Sequence, residues 1–279
     1  MLRRRNLQPK LHGSNRQEPA QLPDYVLSIL AAEKGLAHTF HMLALAICGS
    51  PASPALPHDD QFPLCLSARI RQKIASRLPS DRLRSLSAYR FLYHQMAKEG
   101  FIGSRLPEID IDGRGKPYLP ELPELNISLS HRADWVACAF SPVPVGIDIE
   151  PLSGESDALA DVDQLAQFLH STERSWLAKR EEGDRCRAFC LLWTRKEAYL
   201  KATGRGLGEG MEHFSALPSE RGGFAPVQDA ARPGQPAWAL SLGRMVPGVM
   251  VSVCQLAEHP SRSRRAGESK NSIWTMRLY

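Results

Sequence analysis

The residues best equipped for chemistry begin at Val145-Gly146-Ile147-Asp148-Ile149-Glu150. Side chains of a strand alternate between its two faces, so Ile147 and Ile149 point one way while Asp148 and Glu150 point together the other way. Two like charges side by side cost free energy unless a cation lies between them, and hard divalent ions are held by such oxygen donors. A wet acidic face on an edge strand is the plainer alternative. A second stripe occurs in Trp193-Thr194-Arg195-Lys196-Glu197-Ala198-Tyr199-Leu200-Lys201-Ala202-Thr203-Gly204. At 100° per residue Trp193, Glu197, Lys201 and Gly204 fall on one side of a helix, with a carboxylate and an ammonium one turn apart. A surface ion pair has the same spacing, but Gly204-Arg205-Gly206 at the helix end leaves backbone open to a bulky anion.

The third cluster is Ser128-Leu129-Ser130-His131. Neighbours on a strand face opposite ways, so Ser130 and His131 do not form a nucleophile and base pair with each other, and no G-x-S-x-G elbow is present. His131 is suited instead to contacting a phosphate. Gly113-Arg114-Gly115-Lys116-Pro117 is a turn by composition, and its two cations gain meaning only beside the others. A basic helical stretch carries Arg69, Arg71, Lys73, Arg77, Arg82, Arg84 and Arg90 against Asp81 alone, which makes it an anion-site candidate beside the plainer reading of a solvated face. Three carboxylates for a metal together with cations for phosphates is equipment for chemistry on a pyrophosphate.

The remaining pattern must position these groups. The chain has 279 residues, 43% apolar and 23% charged, which excludes a disulfide scaffold, wholesale disorder and low-complexity architectures. Its six cysteines contain no C-x-x-C pair, and the closest spacing is Cys186 with Cys190, so neither a zinc ribbon nor a redox dithiol is expected. The longest apolar run, Met42 to Cys48, is too short to span a bilayer, which takes roughly 20 residues. No secretory signal is seen, and the cytoplasm is the expected compartment. The net charge of +5 resides in the ends: residues 1–37 hold six Lys/Arg against three Asp/Glu, and residues 258–279 hold five against two. Such ends read as solvated tails rather than a nucleic-acid footprint.

Periodicity predicts a short helix near Tyr25 to Lys34, a strand at His41 to Cys48 and a proline-rich loop to Pro63. Two helices follow over Leu66 to Gly100, then strands at Ile109 to Asp112, Leu125 to Leu129, Trp135 to Phe140 and Val145 to Ile149. Helices are predicted at Leu159 to Leu169, Thr172 to Glu181 and Arg187 to Thr203, with closing strands at Trp238 to Leu242 and Val249 to Leu256. The order strand, helices, strands thus occurs twice. The expected fold class is α+β, with two similar halves, each a small sheet packed with helices. The boundaries are an extension over 1–37, halves over 38–144 and 145–257, and a basic tail over 258–279.

Taken in order, Gly-Lys-Pro at 115–117, Ser-x-Ser-His at 128–131, Gly-Ile-Asp-Ile-Glu at 146–150 and Trp-x-x-Lys-Glu-Ala-x-x-Lys-Ala-x-Gly-x-Gly-Leu at 193–207 resemble the Sfp-type 4′-phosphopantetheinyl transferases over roughly residues 40–256. The resemblance implies a pseudo-twofold α+β monomer with its active site between the halves. It also implies transfer of the phosphopantetheine arm of coenzyme A to a serine of an apo acyl or peptidyl carrier protein, dependent on Mg2+, with release of 3′,5′-ADP. By that resemblance Asp148, Glu150 and Glu197 are metal ligands, and Glu197, Lys201 and His131 carry catalysis. Lys201, His131, Ser130, Lys116 and, in a loosely aligned helix, Arg69 would hold coenzyme A, whereas no nucleic acid or membrane is an expected partner. Relatives often have Phe-Asn-x-Ser-His where this chain has Ile127-Ser128-Leu129-Ser130-His131, so a contact made by that Asn is in question. A Mg2+-dependent nucleotide phosphohydrolase is the alternative enzyme, and a basic-helix binding module the alternative without catalysis.

Overall fold

In a computed structural model of the chain, the described residues run through 62–152, 162–220, 225–241 and 248–256, apart from positions 63, 104, 207, 209 and 234–236, together with the backbone of strands 27–31, 43–48 and 275–278. Helix α1 (Ala68–Ala75) starts where the Ser67 hydroxyl accepts the Ile70 N–H at 3.3 Å. Helix α2 (Pro79–Lys98) starts with proline at its first position, where no N–H is needed, and Asp81 lies in its first turn. Gly100 follows its end. The apolar stripe Ile70, Ile74, Phe91, Leu92 and Met96 buries against Ile127, Val136, Cys138 and Phe140. Those residues belong to β5 (Asn126–Arg132) and β6 (Trp135–Ser141), and β6 is buried at all seven positions.

Strands β1 (Leu27–Ala31), β2 (Leu43–Cys48) and β12 (Thr275–Leu278) complete a five-stranded sheet of order β12-β1-β2-β6-β5, antiparallel throughout. A small hairpin, β3 (Asp110–Ile111) with β4 (Pro117–Tyr118), carries the Gly-Arg-Gly-Lys turn. The second five-stranded sheet has the order β7-β11-β10-β9-β8, formed by β7 (Val145–Pro151), β8 (Phe214–Ser215), β9 (Ala225–Asp229), β10 (Ala237–Ser241) and β11 (Val249–Leu256). Helix α4 (Glu182–Thr203) lies against β7 and β11, and α3 (Ser171–Leu177) packs beside it.

Gly146 is the reason α4 can lie so close. A Cβ there would stand 2.0 Å from the Ala198 carbonyl oxygen and 2.4 Å from the Ala202 nitrogen. Only hydrogen fits in that space. At the other end of the approach Gly204 (φ +70°) stops the helix in the left-handed conformation, donating to the carbonyls of Leu200 and Lys201.

The two sheets meet at β5 and β7, each the edge strand of its own sheet. The Ser128 hydroxyl accepts the Ile147 N–H at 3.0 Å, so a side chain takes the place that a strand ladder would fill. Gln255 Nε2 donates to Ser141 Oγ across the same seam, at 2.9 Å.

Most expected elements are present, and two helices differ. Tyr25 to Lys34 was expected to be helical, yet Leu27–Ala31 is strand β1, because pairing with β2 and β12 supplies hydrogen bonds that outweigh a weak local preference. Strands β1 and β12 lie in stretches read as extension and tail. Of the helix expected at Leu159 to Leu169, Val162 to Leu165 are helical, Ala166–Phe168 form a 3-10 turn, and residues 159–161 lie outside the described part. The short strands β8 and β9 carried no alternation strong enough to be read.

Candidate active site at the seam of two sheets

The seam places the sequence motifs against one another. The Ser130 hydroxyl donates to Asp148 Oδ1 at 2.9 Å, and Lys201 Nζ reaches the same oxygen at 2.6 Å and Ser130 Oγ at 3.1 Å. Three residues from β5, β7 and α4, up to 71 positions apart, thus converge on one buried carboxylate. The second oxygen of Asp148 is buried and has no partner. Glu150 follows two positions along the strand, half-buried, with Arg132 Nε at 3.4 Å.

Glu197 faces the same space from α4. Burial first, and then the charge of Asp148, push its carboxyl up to about 7, with Glu150 adding in the same direction. Glu150 is likewise pushed up to about 7 by burial and then Asp148, opposed by Arg132 and Lys201. The three carboxylates therefore repel one another through a poorly solvated volume, as expected of a set deficient in positive charge. Among the described residues no three His, Cys, Asp or Glu side chains, as placed, are gathered closely enough to enclose a metal ion. The donor set is all carboxylate, it retains one unpartnered buried oxygen, and the charge of Asp148 pushes up both Glu150 and Glu197. That chemistry fits a hard divalent cation.

Beside the carboxylates opens a cavity of about 280 Å3 lined by the cations Lys73, Arg77, Arg114, Lys116 and Lys201 and by His131. Lys73 reaches the cavity from α1, on the side that carries Ile70 and Ile74, and Arg77 from the bend between α1 and α2. Arg77 Nη1 lies 3.3 Å from His131 Nε2 and donates 2.8 Å to Ser85 Oγ. A guanidinium can only donate, so His131 accepts at Nε2 and carries its proton on Nδ1. Burial, reinforced by Arg77 and Lys201, pushes the imidazole down to about 4. At neutral pH it offers a hydrogen bond and no charge.

Ser130 and His131 do face opposite ways, one to Asp148 and the other to Arg77 and to Ser85 of α2. Lys116 lines the cavity, and its Nζ donates at 2.6 Å to the Ala202 carbonyl at the end of α4, where a cation is favoured by the helix dipole. Burial pushes this ammonium down to about 8.

Arg69 lies outside the cavity. Its exposed guanidinium is held by Asp110, whereas Lys73 of the same helix and Arg77 just beyond its end line the cavity. Much of the basic stretch is similarly tied up: Arg71 donates to the carbonyl of Leu66, Arg82 to that of Arg77, and Arg84 pairs with Asp81. Lys196 belongs to the interior. Its Nζ pairs with Glu173 at 2.6 Å, both side chains fully buried, and donates to the Phe214 carbonyl at 2.5 Å. Arg195 donates to the carbonyls of Ala216 and Leu217. One face of α4 therefore serves the site while the opposite face is anchored to α3 and β8.

Ser128, a departure from the family pattern, Gly146 and the Lys73 and Arg77 pair are site-forming residues that no motif announces as such. The i,i+4 spacing of those two cations on the Ile70 and Ile74 stripe was the available signal. For Gly146 there was none, since close approach is a tertiary property.

Comparison with known proteins resolves the family. Residues 144–270 match the 4′-phosphopantetheinyl transferase superfamily. The 4′-phosphopantetheinyl transferase HetI of Nostoc is 31% identical over 187 residues, covering 61% of this chain and 74% of HetI. The chain belongs to the 4′-phosphopantetheinyl transferase superfamily. It is also 32% identical over 147 residues to the 4′-phosphopantetheinyl transferase Sfp of Bacillus subtilis, covering 52% of this chain and 61% of Sfp. Similarity to the transferase gsp of Aneurinibacillus migulanus is 39% over 93 residues, 33% of this chain and 36% of gsp. The chain thus spans less than two thirds of the length of Sfp and gsp. The superfamily match begins one residue before β7 and contains both α4 and the Asp148, Glu150 and Glu197 set.

Proposed function

We propose that this member of the superfamily transfers the 4′-phosphopantetheine arm of coenzyme A to a serine hydroxyl of an apo acyl or peptidyl carrier protein, releasing 3′,5′-ADP. One observation carries the reading: a cation-lined cavity opens beside a carboxylate set that keeps an unpartnered buried oxygen. Phosphates need the cations, and a divalent metal needs the carboxylates. Asp148, Glu150 and Glu197 would hold Mg2+, which when bound supplies positive charge to the pyrophosphate and its leaving group.

The protein's own residues do the rest. Lys201 and the Lys73 and Arg77 pair neutralise the phosphates of coenzyme A, and His131 presents its Nδ1–H to them as an uncharged donor. Lys116 borders the same cavity, and Ser130 keeps Asp148 and Lys201 aligned. Glu197 is the general base. Its carboxylate faces the same space as Asp148 and Glu150 and would accept the serine proton as the serine oxygen bonds to phosphorus. The serine oxygen then bonds to the phosphorus next to the pantetheine arm, the bridging phosphorus–oxygen bond breaks, and 3′,5′-ADP departs with the electron pair.

The two five-stranded sheets meeting at one seam support a pseudo-twofold relation of halves near 38–144 and 145–257, working as a monomer. No helix among the described residues is long and apolar enough to cross a membrane. We place the reaction in the cytoplasm, where coenzyme A and reduced thiols coexist. The test is intact mass spectrometry of an apo carrier incubated with the protein, coenzyme A and Mg2+. Addition of one phosphopantetheine to the carrier is expected. An unchanged carrier across a panel of acyl and peptidyl types, with coenzyme A hydrolysed instead, would replace this reading with a phosphohydrolase.

A further inference from the structure

Helix α4 carries two thiols that the transfer reaction does not use. Cys186 and Cys190 stand one turn apart, both free and both half-buried. At 100° per residue they lie on the side of the helix that carries Glu197 and Lys201. The Cys190 thiol is hydrogen-bonded to that of Cys186, and the charge of Glu150 reaches it. Two half-buried thiols one turn apart on the same side of α4 thus form a pair separate from the hard-oxygen set.

We infer that Cys186 and Cys190 form a two-sulfur binding site for a soft cation of the Cu(I) class. Thiolates select soft ions, whereas carboxylates select Mg2+ and its kind, so adjacent turns of one helix discriminate by ligand chemistry. Side chains at i and i+4 have Cβ atoms about 5–6 Å apart, which suits an ion that bridges two sulfurs. Zinc takes four ligands in its structural sites, and no third metal-binding side chain completes such a group among the described residues. Burial keeps the Cys190 thiol protonated at neutral pH, so only an ion with strong bonds to sulfur displaces that proton. On binding, two S–H bonds break, two S–Cu bonds form and two protons leave to solvent. Copper stays Cu(I), so no oxidant or reductant is consumed.

The test is an anaerobic titration of the full chain with Cu(I) in competition with a chromophoric Cu(I) chelator. Wild type is expected to retain one Cu(I) per chain, and Cys65→Ser to behave the same. Cys186→Ser and Cys190→Ser should each weaken retention at least about 100-fold, since even outer-shell groups of metal sites cost 10–100-fold when lost. Loading should also protect Cys186 and Cys190 of wild type from thiol alkylation, read by peptide mass, a measurement that needs no variant to fold. Surrender of all Cu(I) to the chelator, undiminished retention by a folded single variant, or alkylation of both thiols at full loading would each overturn the site.

Discussion

Asp148, Ser130 and Lys201 form the most economical part of the site, because one oxygen of one carboxylate receives a hydroxyl and an ammonium from two other elements. Glu197 stands outside that network, and its carboxylate is the proposed proton acceptor. Glu197→Gln keeps the shape and removes the basicity. Carrier modification is expected to slow at least about 100-fold, measured by intact mass under saturating coenzyme A; an undiminished rate would remove Glu197 from both of its proposed roles. His131 gives a pH signature. Its folded value of about 4 lies below the ordinary 6.5, so between these the unfolded chain binds more protons and stability falls as pH drops. The stability difference between wild type and His131→Gln, from urea unfolding, is expected to shift against wild type as pH falls from 6.5 to about 4. A difference independent of pH would show that the imidazole is not held neutral by burial. The motifs announced the identities of these residues. Which nitrogen of His131 faces Arg77, and which oxygen of Asp148 is left unpartnered, depends on packing that no spacing encodes.

Helix α4 and strand β7 work as one unit, brought together by a missing side chain. Gly146→Ala would drive a Cβ to 2.0 Å from the Ala198 carbonyl, so the helix must move off the strand that carries Asp148. The expected cost is about 3 kcal/mol or more by denaturant unfolding, at the upper end for overpacked cores. Any folded fraction should show impaired transfer, because Lys201 loses its registry with Asp148. Stability equal to wild type would mean that the backbone yields freely there. Periodicity found α1, α2 and α4 because each has an apolar stripe of several turns. It read Leu27–Ala31 as a helix since five residues leave little to distinguish the two periods, and partners distant in sequence decided the matter. The basic stretch over α1 and α2 was legible as charge. That Arg69 would be spent on Asp110 while Lys73 and Arg77 reached the cavity was not.

At the scale of the whole molecule, two sheets meet edge to edge, and side chains rather than a strand ladder join them. Lys116 makes a further tie, from the β3–β4 turn to the last turn of α4. Its folded value of about 8 lies below the ordinary 10.5, so the unfolded chain binds more protons between these values and stability rises with pH there. Relative to Lys116→Met, wild type is expected to gain stability from pH 8 to 10.5 in urea titrations, and a flat difference would place this ammonium in water. By itself, the sequence determined the family motifs, the α+β class and the chemical types of the site, because these follow from residue identity and short-range periodicity. Tertiary structure alone decided that two edge strands abut, that Gly146 admits α4 to β7 and that Lys73 and Arg77 line one cavity with Lys116, His131 and Lys201, since contacts between residues 53 to 86 positions apart depend on how whole elements pack.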